Sequence, residues 1–121
     1  MIHSNEQLAQ EKISPEFLAR LNQFEPYQMI RAIVMLRTEN TGLPPTHANR
    51  PAIREAIQRS AARALPEIDA ILERFHGRRL ADQPDALGSL PIETTVAGVH
   101  ALAHADAVKT IFEDQPVSLL I

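Results

Sequence analysis

Apolar positions along this chain recur with two periods, about 3.6 and 2, and the switches between them mark its elements. Residues 1–13 are polar and aperiodic and read as a mobile terminus. Ser14-Pro15-Glu16 is a helix start, with Ser14 as N-cap and Pro15 at the first helical position. Phe17, Leu18, Leu21 and Phe24 follow at helical spacing, so a short amphipathic helix is expected over 15–24, ended by Pro26. From Gln28 to Arg37 the text is QMIRAIVMLR, apolar on both faces, which predicts a central strand. Gly42, Pro44 and Pro45 then mark a loop.

Asn49 is placed to cap a second, longer helix with Pro51 in its first turn. Ile53, Ile57, Ala61, Ala64, Leu65, Ile68, Leu72 and Phe75 form its apolar stripe, and Pro66 predicts a kink or break near Leu65. Gly77 is placed to end that helix in the left-handed conformation. A short strand is expected at 78–81, a strand over 90–96 with Leu90, Ile92, Thr94 and Val96 on one face, and a helix over 97–105. The last strand is expected to put Val108, Thr110 and Phe112 on one face and Lys109, Ile111 and Glu113 on the other.

From residue 28 the order is strand, helix, strand, strand, helix, strand. That pattern predicts an α+β, ferredoxin-like βαββαβ fold, an antiparallel sheet covered by two helices, with an extra N-terminal helix. Residues 1–27 are then an N-terminal extension and 28–121 the ferredoxin-like domain. The extension and the front of the long helix are left either to form a small subdomain or to cover the open face of the sheet.

Composition narrows the function classes. The chain has 121 residues, 45% apolar and 22% charged, which is ordinary for a soluble domain able to bury a core. With no cysteine, disulfides, Cys-ligated zinc and thiol catalysis are excluded. A net charge of −3 gives no argument for nucleic acid or a membrane surface as partner. No apolar run approaches the ~18 residues of a membrane helix, and MIHSNEQLAQEK lacks a signal-peptide pattern, so the expected address is the cytoplasm.

Candidate chemistry is sparse. His100 and His104 lie four apart on one helix face and are weak metal candidates, because no third ligand has a recognisable spacing. Arg74, His76, Arg78 and Arg79 form a basic knot best read as helix-dipole compensation and surface charge. No spacing brings a base, a nucleophile and an oxyanion donor together, and no glycine-rich phosphate loop is present. The expectation is a non-enzyme without a cofactor. The most unusual stretch is the last: Glu113 and Asp114, then Pro116, then Ser118, Leu119, Leu120 and Ile121. Three such apolar residues must be buried, paired or presented to a partner.

Several segments resemble the propeptide and stand-alone inhibitor family of subtilisin-like serine proteases. They are the strand MIRAIVML, a helix ended by glycine, the strand IETTV, a short helix carrying Val99 and Leu102, and the closure Asp106, Val108, Ile111 and Asp114. The resemblance covers residues 28–39 and 68–121; residues 1–27 and 40–67 have no counterpart in the compact members. It implies that the open sheet face lies on two surface helices of a protease. Glu113 and Asp114 would approach helix N-termini there, and Ser118, Leu119, Leu120 and Ile121 would run through the active-site cleft as a product-like strand. The chain would then act as an inhibitor or folding chaperone. The residues themselves leave an alternative open: the tail extends the last strand or closes a homodimer edge, and the protein is a ferredoxin-like interaction module of another regulatory role.

Overall fold

The computed structural model describes residues 5–38 and 42–114. The doubly apolar segment forms β1 (Met29–Leu36), and it is central as its pattern requires. It pairs antiparallel with β3 (Ser89–Thr95) on one side and β4 (Val108–Glu113) on the other, while β2 (Arg78–Arg79) pairs with β3. The sheet order is β2-β3-β1-β4, all neighbours antiparallel, which is the ferredoxin-like arrangement. The helices are α1 (Asn5–Glu11), α2 (Pro15–Leu21), α3 (Arg50–Ala62), α4 (Leu65–Arg74) and α5 (Val96–Ala103).

Alternation sorts the strands. Ala32, Val34 and Leu36 of β1 and Leu90, Ile92 and Thr94 of β3 are buried, and they meet Ile68, Ile71 and Leu72 of α4 and Val99, Leu102 and Ala103 of α5 in one core. β4 departs from the expected faces. Its register shifts between Met35 and Leu36, so Val108 lies opposite Leu36 while Thr110 lies opposite Met35. Val108 and Ile111 therefore both face the core, and Thr110 and Phe112 face away from it. A bulge at Lys109 takes up the extra residue, and strict alternation cannot anticipate that.

The N-terminal residues are built into the same core. Residues 5–11 are helical where the polar text predicted no element, and Ala9, Ile13, Phe17 and Leu21 are buried with the sheet residues. Ile13 makes a parallel bridge to Ile111, the Ile111 N–H donating to the Lys12 carbonyl (2.7 Å) and the Ser14 N–H to the Ile111 carbonyl (2.9 Å). These bonds cover the outer edge of β4. Ser14 caps α2 as expected, its hydroxyl accepting from the Phe17 N–H.

The long helix is two helices. Pro66 sits in the first turn of α4, where its missing N–H costs nothing, and the chain turns at Arg63 and Ala64 before it. Asn49 precedes α3 without a side-chain cap; its amide donates instead to the Pro44 carbonyl (3.2 Å).

At the end of α4 it is His76, not Gly77, that takes the left-handed conformation, with φ 58°. The Gly77 N–H closes the helix end on the Leu72 carbonyl at 2.7 Å, a Schellman-type cap. Gly77 serves a different need. A β-carbon there would lie 2.7 Å from the Thr94 Cβ and 2.8 Å from the Glu93 carbonyl oxygen. One at Gly98 on α5 would strike the Thr94 hydroxyl and come within 3.0 Å of the Phe75 Cβ. The hydroxyls of Thr94 and Thr95 both donate to the Phe75 carbonyl (3.4 Å each), and the Thr95 oxygen caps α5 by accepting from the Gly98 N–H (3.1 Å).

The loop into β3 closes on Asp85, whose carboxylate accepts from the N–H groups of Leu87 and Ser89 and from the Ser89 hydroxyl. Burial pushes its pKa up, but these bonds outweigh it and hold the carboxyl below the usual aspartate value.

Two substitutions test this account by urea denaturation. Gly98→Ala should lower stability by roughly 1–3 kcal/mol through overpacking against Thr94. His76→Gly should raise it by roughly 0.5–1 kcal/mol, because glycine adopts positive φ without penalty. A Gly98→Ala protein as stable as the parent would refute the close packing at Thr94.

Candidate functional site

On the side of the sheet away from the buried core, the register brings a set of apolar side chains together. Across the strands the partners fall in rows. Ser89, Met35 and Thr110 form one, and Pro91, Ile33 and Phe112 the next. Leu80 extends the second row, its N–H donating to the Pro91 carbonyl (2.9 Å). Ile33 and Met35 are half-buried, and Phe112 and Met29 are 39% and 43% exposed. Helices α2, α4 and α5 bury Phe17, Leu21, Ile68, Leu72, Val99 and Leu102 in the core on the opposite side, to which α3 contributes Ala61.

A third row is charged. Arg78, Glu93 and Arg31 lie side by side on β2, β3 and β1, and Asp114 follows just beyond β4, its N–H donating to the Arg31 carbonyl at 3.2 Å. Glu93 accepts from both arginines, 3.3 Å from each Nε. The hydrogen bond from Arg31, and after it that from Arg78, hold the Glu93 carboxyl below the ordinary glutamate range against the opposing effect of desolvation. Pairs this exposed contribute little to stability. They join the three side chains in one row across the strands.

The two acids expected to act together face different ways. Glu113 lies opposite Ala32, on the helix side, and its carboxylate pairs with Arg20 at 2.8 Å with a side chain only 14% exposed. Arg20 in turn lies over the Phe24 ring, 5.4 Å from its centroid. Asp114, one residue on, belongs to the open face. Past the bulge the alternation is regular through Glu113 and carries on to Asp114 opposite Arg31, so the acidic pair divides. Ser118, Leu119, Leu120 and Ile121 lie outside the described residues.

The histidines do not converge. His100 is half-buried, while the His104 Nε2 lies 3.3 Å from a Glu6 oxygen. Among the described residues no three His, Asp or Glu side chains are grouped so that they could hold a metal ion. Of the basic knot, Arg78 joins the open-face row, and Arg79 turns to the helix side and pairs with Asp69 of α4 at 2.9 Å.

A cleft of about 590 Å³ between α1 and the α5–β4 turn is lined by Lys12, Arg37, Lys109, His104 and Asp106, with Leu8 and Ala103 as apolar wall. Sequence reasoning singled out neither Lys12 nor Arg37 for this role. The Lys12 ammonium donates to the Ala105 carbonyl (2.9 Å) and the Arg37 Nε to the Asp106 carbonyl (2.8 Å). Both cations thus sit at the carbonyl end of α5, where the helix dipole favours them. Burial, and then the charge of Arg37, pull the Lys12 pKa below its ordinary value against the opposing pull of Asp106 and Glu67. This is a structural clamp on the α5–β4 turn. Its members are 93 and 69 residues apart in sequence from what they bind, so no local motif announces it.

Neither a protein-family model nor a curated protein matches the chain.

NMR-detected titration of the Glu93 carboxyl should give a pKa below the ordinary value of about 4.3, and Arg31→Gln should raise it. Because the folded value is depressed, the stability that Glu93 contributes is present above about pH 4.3 and is lost as pH falls through the folded value. A Glu93 that titrates normally would refute the hydrogen bonds from Arg31 and Arg78.

Proposed function

We propose that this chain is a protein-binding module of propeptide type, which docks a subtilisin-like serine protease through the open face of its sheet and acts by occupation rather than catalysis. The observation that carries the reading is the row of Pro91, Ile33 and Phe112, half-buried to exposed among the described residues, on one face of a β2-β3-β1-β4 sheet. An apolar centre bounded by charge is the composition of a protein-docking surface. The fold by itself would not select this activity.

The resemblance of the strands and closing residues to subtilisin propeptides supplies the partner. On that reading two helices of the protease lie across the open face, and Asp114 meets a helix N-terminus there. Glu113, engaged by Arg20, instead fixes the end of β4 against α2. Ser118, Leu119, Leu120 and Ile121 enter the cleft and pair with its backbone by strand addition. The cytoplasm as site of action belongs to the same proposal; among the described residues no helix is long and apolar enough to cross a membrane.

The test is inhibition of a broad-specificity subtilisin by the purified protein, beside Ile33→Arg and a form lacking Ser118 to Ile121. Saturable inhibition is expected, weakened at least tenfold, or about 1.4 kcal/mol, by either change with the circular dichroism unaltered. Ile33→Arg acts at the face and the deletion acts in the cleft. Absence of inhibition by the folded parent at micromolar concentration would retire the protease.

A further inference from the structure

We propose that the open face is self-complementary and that a second copy of this chain stacks on it, face to face, about a two-fold axis parallel to the strands. Read across β2, β3, β1 and beyond β4, the row is Arg78, Glu93, Arg31 and Asp114, alternately positive and negative. A row of four alternating charges changes sign when it is reversed.

A two-fold axis running along the strands, midway between β3 and β1, performs that reversal. It lays Arg78 over Asp114 of the second copy and Glu93 over Arg31, and the symmetry repeats both pairs. Every charge in the row meets its opposite. The same operation keeps the neighbouring row in register with itself, so Pro91 lies over Ile33, and Phe112 over the Leu80 that extends that row. Apolar side chains meet apolar ones. A two-fold axis across the strands, along the charged row, would set Arg78 on Arg78 and Glu93 on Glu93. Like charges in contact select against it. The alternation therefore specifies an orientation as well as a partner.

Size sets the strength. Four strands about 4.8 Å apart and seven residues of about 3.3 Å rise give a face of roughly 19 by 23 Å. That is below the about 800 Å² per partner of a standard stable interface, so the dimer is a weak one in exchange with monomer. Edge pairing offers no substitute on the β4 side, because the Lys12–Ser14 segment already occupies that edge at Ile111. The consequence is regulatory: any partner that docks on the same face competes with the second copy. The dimer itself requires only the face, whether or not the partner is a protease.

Sedimentation equilibrium of the full chain without protease, in low salt, tests it with three variants. Arg78→Glu places a carboxylate over Asp114, and Asp114→Lys places an ammonium over Arg78; each should raise the dimer Kd at least tenfold. The double variant restores opposite charges at those positions and should return to within about threefold of the parent, with circular dichroism reporting that all four are folded. A parent that stays monomeric at about 1 mM would overturn the proposal. So would a dimer indifferent to the single changes, or a double variant no tighter than the singles. Because no protease is present, failure here leaves the protease reading standing, and failure of protease inhibition leaves this one standing.

Discussion

The structure depends on the space around one buried threonine. Thr94 is fully buried at the end of β3, and both Gly77, at the start of β2, and Gly98, in the first turn of α5, are pressed against it. Any side chain at either glycine would require Thr94 or the β3 backbone to move. Its hydroxyl, with that of Thr95, satisfies the Phe75 carbonyl at the end of α4, and Thr95 also caps α5. So one strand end holds the C-terminus of one helix and the N-terminus of the other. Both helices are thereby fixed on the same side of the sheet. On the opposite side, among the described residues, Ile33 and Met35 are half-buried and Phe112 is exposed.

Much of this frame was legible in the text. The doubly apolar MIRAIVML could only be a central strand, and Leu90, Ile92 and Thr94 alternated into the core as their period required. Pro66 announced the break between α3 and α4. The misreadings have physical causes. Residues 5–11 looked featureless because α1 buries only Ala9 among its described side chains, and one apolar contact makes no periodic signal. Gly77 drew attention as a helix terminator since glycine is the usual left-handed residue, yet the conformation fell to His76. Gly77 was needed for close approach, and that depends on Thr94, seventeen positions away. For the candidate site, the apolar residues of β1 and the acids Glu113 and Asp114 were visible, but their grouping into rows required register, which a single sequence does not contain.

The edges of the sheet are dealt with separately from its faces. β2 is two residues long and carries two arginines, a poor template for further pairing. At β4 the chain covers its own edge with Ile13, and Lys12 beside it reaches over to the Ala105 carbonyl while Arg37 holds the Asp106 carbonyl. These contacts tie the N-terminal segment, the end of β1 and the α5–β4 turn into one corner. Among the described residues, both strand edges are thus poor templates for further pairing.

The open face of the sheet exists in its present form because of one irregularity. Without the bulge at Lys109, strict alternation would carry Val108 to the same side as Thr110 and Phe112, and the core would lose a residue that it buries completely. With the bulge, Val108 and Ile111 both enter the core, while Phe112 still completes the apolar row and Asp114 still completes the charged one. The extra residue also determines which acid is exposed. Glu113 falls on the helix side, where Arg20 takes it up, and Asp114 falls opposite Arg31. Moving the bulge past Glu113 would exchange the two acids between faces. The charge pattern of the open face is thus set by a backbone feature of β4 as much as by the side chains that display it.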